Sequence, residues 1–362
     1  MRTLFDSIQI GNLHCSNRIL RSATWEAMAD ERGFMSEEQY KIYETLAQNN
    51  VGLISTGYAR VMESDCPNAG MMGIYADQFI PTYQKLTALV HQYDSKIMMQ
   101  IAYGGTKTTY RVGERRILAP SAIPEKTTGT VGTPMTKEDI SDVVRAHGEA
   151  ARRVRQSGFD AVQIHGGHSY LLNQFLSPYY NTRTDEYGGS LENRARLLLE
   201  CCDAARHAVG DDYPILVKIT CTDFFEEGFH FDDCRALCSM LAGHGVNAIE
   251  ISGNVHGKAE KMVGQVFDGQ PILKHGYFLR YAAIIAQEQT IPIFVTGGFR
   301  DPNEMEEWLN NYSITGFGMS RPLLCEPNLV NRWSQGEKDR ARCVHCSRCR
   351  TSTGNYCTVF SK

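Results

Sequence analysis

Residues 160–200 read DAVQIHGGHSYLLNQFLSPYYNTRTDEYGGSLENRARLLLE. Ala161–His165 is a short apolar run of strand length, bounded by a charged residue before it and glycines after it. Three chemistry-bearing side chains follow within six residues: His165, His168 and Tyr170. A long polar loop then leads to Ser190, which opens an apolar-periodic segment of helical length. Strand, loop and helix in that order make one unit of a parallel α/β fold. In such folds the carboxyl ends of the strands face the chemistry. Two imidazoles and a phenol placed there can hold a carbonyl oxygen and deliver a proton.

The same unit recurs along the chain. Candidate strands are Ile19–Ala23, Gly52–Thr56, Lys96–Ile101, Ala161–His165, Ile215–Ile219, Ala248–Ile251, Ile293–Thr296 and Ile314–Met319. They are rich in Val and Ile and lack strict alternation, as strands buried on both faces do. Helices are expected at Glu37–Gln48, Tyr83–Gln92, from Thr136 to Gln156, from Ser190 to about Ala208, and at Asp232–Ala242, Tyr277–Gln287 and Asn303–Asn310. Eight alternations predict a (β/α)8 TIM barrel over residues 1–330, with a short Cys-rich extension over 331–362. A doubly wound open sheet would need a Gly-rich turn after strand one, and Ser22-Ala23-Thr24-Trp25-Glu26 is not one. The main insertion, Thr106–Pro134, is rich in Gly, Pro and Thr and reads as an active-site loop or small hairpin.

A chain of 362 residues with 42% hydrophobic content buries a large core without disulfides. Its 37 basic and 41 acidic residues nearly balance, which argues against a nucleic-acid binder. No apolar run reaches membrane-spanning length and no signal peptide is evident, so a cytoplasmic protein acting on a small molecule is expected. A homo-oligomer is compatible with the sequence.

The expected strand ends converge on one pocket. In order they carry Ser22-Ala23-Thr24, Gly57, Gln100, His165 with His168 and Tyr170, Lys218, Ser252-Gly253, Gly297-Gly298 and Ser320-Arg321. Gly-rich backbone after strand seven and a basic residue after strand eight form the usual phosphate site of a barrel. Gln100 offers a paired donor and acceptor to an amide edge. Lys218 adds a cation. Together these fit flavin mononucleotide (FMN).

SNRILRSAT, MMQIAYGG, VTGG, MSRPLL and above all H-x-x-H-x-Y followed by L-x-x-Q-F-L-S-P and N-x-R-T-D-E-Y-G-G-S-x-E-N-R resemble the Old Yellow Enzyme family. These are FMN-dependent NADH:flavin oxidoreductases and ene-reductases, and the resemblance spans the barrel. It implies that Ser22, Ala23 and Thr24 meet the flavin N5/O4 edge, that Gln100 reads the pyrimidine, and that Gly57 joins the cofactor site. It implies that Lys218 sits at N1/O2, where the family often has Arg; Lys cannot make the forked contact, so only the charge role carries over. Gly297, Gly298, Ser320 and Arg321 then hold the phosphate. The implied activity is reduction of an activated C=C bond with NAD(P)H. His165 and His168 hold the activating oxygen and Tyr170 protonates the α-carbon.

Other readings of the same residues stay open. A lone His after a strand is more often a packed residue than a catalyst. A His-x-x-His metal site has no third ligand nearby. Lys218 alone suits a Schiff-base aldolase or lyase on a phosphorylated substrate. A non-catalytic flavin or metal electron-transfer module is a third reading. Gly297-Gly298 alone reads as a tight turn. Trp25, Tyr103 and Tyr110 line the substrate pocket or belong to core and loops. The charged run from Asn181 to Arg194 is expected to be scaffold that holds Tyr170 in place, capped by Ser190 and tied by Arg183 and Arg194.

Eight of the 12 cysteines are scattered and read as small core hydrophobes. The others crowd together as Cys343, Cys346, Cys349 and Cys357. The first three, Cys343-x2-Cys346-x2-Cys349, match the three-ligand run of bacterial ferredoxins, with Cys357 available as a fourth ligand. The barrel most resembles that of the 2,4-dienoyl-CoA reductase branch, where a [4Fe–4S] cluster follows the barrel and an FAD domain comes after it. The gaps here are shorter, and the sequence stops at Lys362. Electron entry through an attached flavin domain is therefore not expected. A [4Fe–4S] cluster, zinc and four free thiols all remain open for the tail.

Overall fold

A computed structural model describes residues 1–253 and 261–360. Eight parallel strands form its centre: β1 (Ile19–Arg21), β2 (Leu53–Ser55), β3 (Lys96–Ala102), β4 (Ala161–Gly166), β5 (Ile215–Thr220), β6 (Ala248–Ser252), β7 (Ile293–Thr296) and β8 (Gly316–Met319). Each pairs with the next, β8 returns to β1, and β3 joins β4, so the sheet closes. The barrel expected from the sequence is present. Seven outer helices follow: α1 (Glu37–Gln48), α2 (Ile80–Val90), α3 (Lys137–Gln156), α4 (Leu191–Val209), α5 (Phe231–Gly243), α6 (Leu279–Glu288) and α7 (Pro302–Asn311). Helix α2 starts earlier than expected because Pro81 sits in its first turn, where a missing N–H costs nothing. Capping boxes start α1 at Ser36 and α3 at Thr136.

The strand interiors explain the closure. Val162, Ile164, Val217, Ile219, Ile249, Ile251, Ile293 and Val295 are buried under the helices. Leu20, Leu53, Met98, Ala161, Leu216, Ala248 and Phe294 fill the barrel's interior floor. A two-stranded N-terminal ribbon, Ile8–Ile10 with Leu13–Cys15, adds apolar side chains to that floor.

Three features sharpen the sequence reading. The insertion after β3 is not a hairpin: its short strands Leu118–Ala119 and Thr133–Pro134 pair in parallel, and the rest is loop. A helix, Leu329–Ser334, runs across the expected boundary at 330 with Trp333 fully buried. The residues beyond it return over the barrel mouth. Ala341 N donates to Arg300 O at 2.8 Å, and Asn355 N donates to Glu26 O at 2.7 Å. The tail's last two residues lie outside the described residues. Among the described residues no helix is long and apolar enough to cross a membrane.

Candidate active site

The loop after β4 holds its side chains under backbone constraint. His168 and Ser169 adopt left-handed backbone with φ of 59° and 57°, a conformation costly outside glycine and frequent at functional sites. The following residues fasten it. Asn173 Oδ1 accepts from Ser169 N at 2.7 Å, Gln174 Nε2 donates to Ser169 O at 2.6 Å, and Thr220 Oγ1 accepts from His168 N at 2.8 Å. Tyr170 immediately precedes a short helix, Leu171–Leu176, whose first N–H donates to Tyr103 O at 3.1 Å. The L-L-N-Q-F-L string thus fixes three side chains. The His165 ring lies 5.1 Å from the rings of both His168 and Tyr170.

These rings line a cavity of about 590 Å³ together with Ala23, Gln100 and Lys218. A second cavity of about 270 Å³ is lined by Ser252, Gly297, Gly298, Ser320 and Arg321. His168 and Gly253 border both, so the two adjoin. Gly297 and Gly298 take φ of 140° and 82° there, and a side chain on either would press on Phe278 or Tyr277.

A buried polar chain sets the floor. Gln100 Nε2 donates to Gln163 Oε1 at 2.8 Å, and Gln163 Nε2 donates to Glu250 Oε2 at 2.8 Å. Glu250 Oε1 pairs with Lys218 Nζ at 2.9 Å and accepts from Ser22 and Thr296 hydroxyls at 2.6 Å each. The chain fixes the Gln100 amide through its Nε2. Burial works to raise the Glu250 carboxyl, but Lys218 and the two hydroxyls outweigh it and hold it below the usual range. Glu250, Gln163 and Thr296 were not singled out from the sequence. The available signal was a carboxylate inside the otherwise apolar Ala-Ile-Glu-Ile-Ser strand.

Burial, with His168 and Lys218 nearby, pushes His165 well below its ordinary range. Burial, then Lys218 and Lys107, bring His168 down to about 3. Both are neutral at pH 7. His165 Nδ1 is buried with no hydrogen-bond partner among the described residues, while His168 Nε2 meets Ser252 Oγ at 2.9 Å. Burial raises the Tyr170 phenol above its ordinary value, with hydrogen bonds from its neighbours working against that. Asn68 Nδ2 donates to Tyr170 Oη at 3.2 Å and to Tyr58 Oη at 2.9 Å.

Not every expected residue reaches the cavities. Ser22 lies beneath, bonded to Lys218 at 2.6 Å. Thr24 Oγ1 donates to Ser320 Oγ at 2.8 Å. Gly57 lines neither cavity: its N donates to Tyr43 Oη at 2.8 Å, and an added Cβ would collide with Glu26. Trp25 lines the larger cavity, whereas Tyr103 is core and Tyr110 stays outside. The insertion contributes Lys107, Thr108, Thr109, Thr127 and Thr128, as an active-site loop should. In the charged run, Ser190 caps α4, and Arg183 and Arg194 pair with Asp185 and Asp233.

Residues 3–340 match the model of the NADH:flavin oxidoreductase / NADH oxidase family. The chain belongs to this family, that of the Old Yellow Enzymes. It is 33% identical over 350 residues to a metal reductase of Desulforamulus reducens, covering 96% of this chain and 51% of that protein. It is 33% identical over 325 residues to an NADPH dehydrogenase of a Geobacillus species, covering 90% and 91%. Among solved structures, a 2-naphthoyl-CoA reductase complex superposes with a TM-score of 0.84 at 25% identity, over 92% of this chain and 52% of that one. The chain spans about half the length of several curated relatives it matches.

Old Yellow Enzyme membership implies FMN and a reduced nicotinamide, and the residues fit FMN. The larger cavity presents a fixed Gln100 and a Lys218 cation, and the adjoining one presents the Gly pair with Arg321. The tail thiols Cys343, Cys346, Cys349 and Cys357 line a small cavity together with Cys325, beside Arg321. Among the described residues no three His, Cys, Asp or Glu side chains are arranged as metal ligands.

Proposed function

We propose that this chain reduces the C=C bond of an α,β-unsaturated carbonyl compound at the expense of NAD(P)H. The observation that carries this reading is His165 Nδ1, buried and without a hydrogen-bond partner among the described residues, on a ring beside Tyr170 at the cavity that also presents Ala23, Gln100 and Lys218. FMN, when bound, supplies the hydride. Ala23, Gln100 and Lys218 hold its ring, while Gly297, Gly298, Ser320 and Arg321 hold its phosphate.

The chain's own groups do the rest. His165 and His168, neutral and desolvated, hold the activating oxygen, and a hydrogen bond donated there strengthens as negative charge grows on it. The Tyr170 oxygen accepts from Asn68, which leaves its own proton to be donated to the α-carbon. Lys218 is poorly suited to a Schiff base. Its amine is tied to Glu250 at 2.9 Å and to Ser22 at 2.6 Å, so it is not free to attack a substrate carbonyl.

Tyr170→Phe separates the two halves of the reaction. Flavin reduction by NAD(P)H is expected to keep its rate in stopped flow, while alkene reduction falls by about 10²-fold or more. Unchanged alkene turnover would remove Tyr170 as the proton donor.

A further inference from the structure

The returning tail places one cation at the substrate cavity. The short strands Arg350–Thr351 and Gly354–Asn355 form a hairpin. It is pinned to the segment after β1 by Asn355, whose N donates to Glu26 O at 2.7 Å and whose Nδ2 donates to Trp25 O at 2.6 Å. Arg350 thereby lies over the Trp25 ring, 5.7 Å from its centroid, and lines the 590 Å³ cavity with Tyr58 and Tyr170.

Charge in that cavity is one-sided. Among the described residues no carboxylate lines it, while Lys107, Lys218 and Arg350 do. Lys218 is neutralised by Glu250 at 2.9 Å, and Lys107 by Glu125 at 2.8 Å. Arg350 has no carboxylate partner among the described residues. Nor does Trp25 Nε1, a buried donor beside it, have any hydrogen-bond partner there. Trp25 and Tyr58 stack at 6.5 Å and 24°, giving the same wall a flat apolar surface. A guanidinium stays charged at any working pH and fits a carboxylate as a two-pronged donor.

We propose that Arg350 is a specificity-determining residue that binds a carboxylate carried by the unsaturated substrate, apart from the carbonyl that activates its alkene. The substrate class is thus a flat unsaturated carbonyl compound bearing an acid group. This rests on the ene-reductase reading above and adds the charge of the substrate to it.

The test uses the full-length holoenzyme and a matched pair of probes: benzylideneacetone with a para-carboxylate, and its methyl ester. Comparing their kcat/KM ratio between proteins cancels the difference in intrinsic reactivity. In Arg350→Gln the acid-to-ester ratio is expected to fall at least about tenfold, and Arg350→Lys is expected to restore part of it. Calorimetric Kd for the saturated acid should rise by the same factor. A ratio that does not move overturns the proposal. So does a loss confined to the nicotinamide, seen as a higher KM for NAD(P)H in flavin reduction with the acid-to-ester ratio intact, because the anion at Arg350 would then be a nucleotide phosphate. If wild type reduces neither probe, the ene-reductase reading fails, and calorimetry still decides Arg350: weaker acid binding in Arg350→Gln supports it, and equal binding refutes it.

Discussion

Buried His165 and half-buried His168 both lie near the Lys218 cation, and desolvation together with that neighbour sets their charge. A histidine whose folded pKa lies below 6.5 is already neutral when an ordinary one is still titrating. His168 at about 3 and His165 well below its usual range therefore lose nothing between mildly acid and neutral pH. The raised Tyr170 phenol keeps its proton through the alkaline side of that window. Alkene reduction measured on pre-reduced enzyme is thus expected to be flat from about pH 5 to about pH 8. A limb centred near 6.5 that disappears in His165→Asn or His168→Asn would show a charged imidazole at work instead. The same depression works against the fold in acid. The unfolded chain binds protons below about pH 6.5 that the folded one excludes, so these two sites subtract stability as pH falls.

At the scale of the elements, the eight strands were legible because each is short, apolar and buried on both faces, which leaves one reading for its length and composition. His165, His168, Tyr170, Gln100 and Lys218 were legible for a related reason: they sit at strand ends, and the barrel aims strand ends at one place. Glu250 was not, because a carboxylate inside a strand gains its meaning only from Lys218 and Ser22 on neighbouring strands. Arg350 was invisible too, since nothing local in a Cys-rich tail tells that it folds back onto Trp25. Gly57 went the other way: it ends its strand as expected, yet Tyr43 and Glu26 occupy the space beside it. The tail also carries its own prediction. Cys343, Cys346, Cys349 and Cys357 line one small cavity; no three of them stand as a metal-ligand set among the described residues, and we propose that they become the ligands of an iron–sulfur cluster when it is supplied. Protein purified without oxygen is expected to contain iron and acid-labile sulfide, and Cys346→Ser is expected to lose both. Zinc without sulfide, or no metal at all, would refute the cluster.

On the scale of the whole molecule, the barrel, the returning tail and the two adjoining cavities form one arrangement. The smaller cavity suits a phosphate and the larger a flavin ring with a substrate above it. Tail and insertion wall the larger one with Arg350, Lys107 and the threonines. Relatives about twice as long as this chain match it along nearly its full length. All the chemistry assigned to His165, His168, Tyr170 and Arg350 depends on FMN occupying that pair of cavities. The direct measurement is the anaerobic visible spectrum of the purified protein, before and after denaturation and after adding NADH or NADPH. Flavin bands bleached by one nicotinamide, with FMN released on denaturation in about equimolar amount, are expected. A colourless protein that takes up no added FMN would contradict the account.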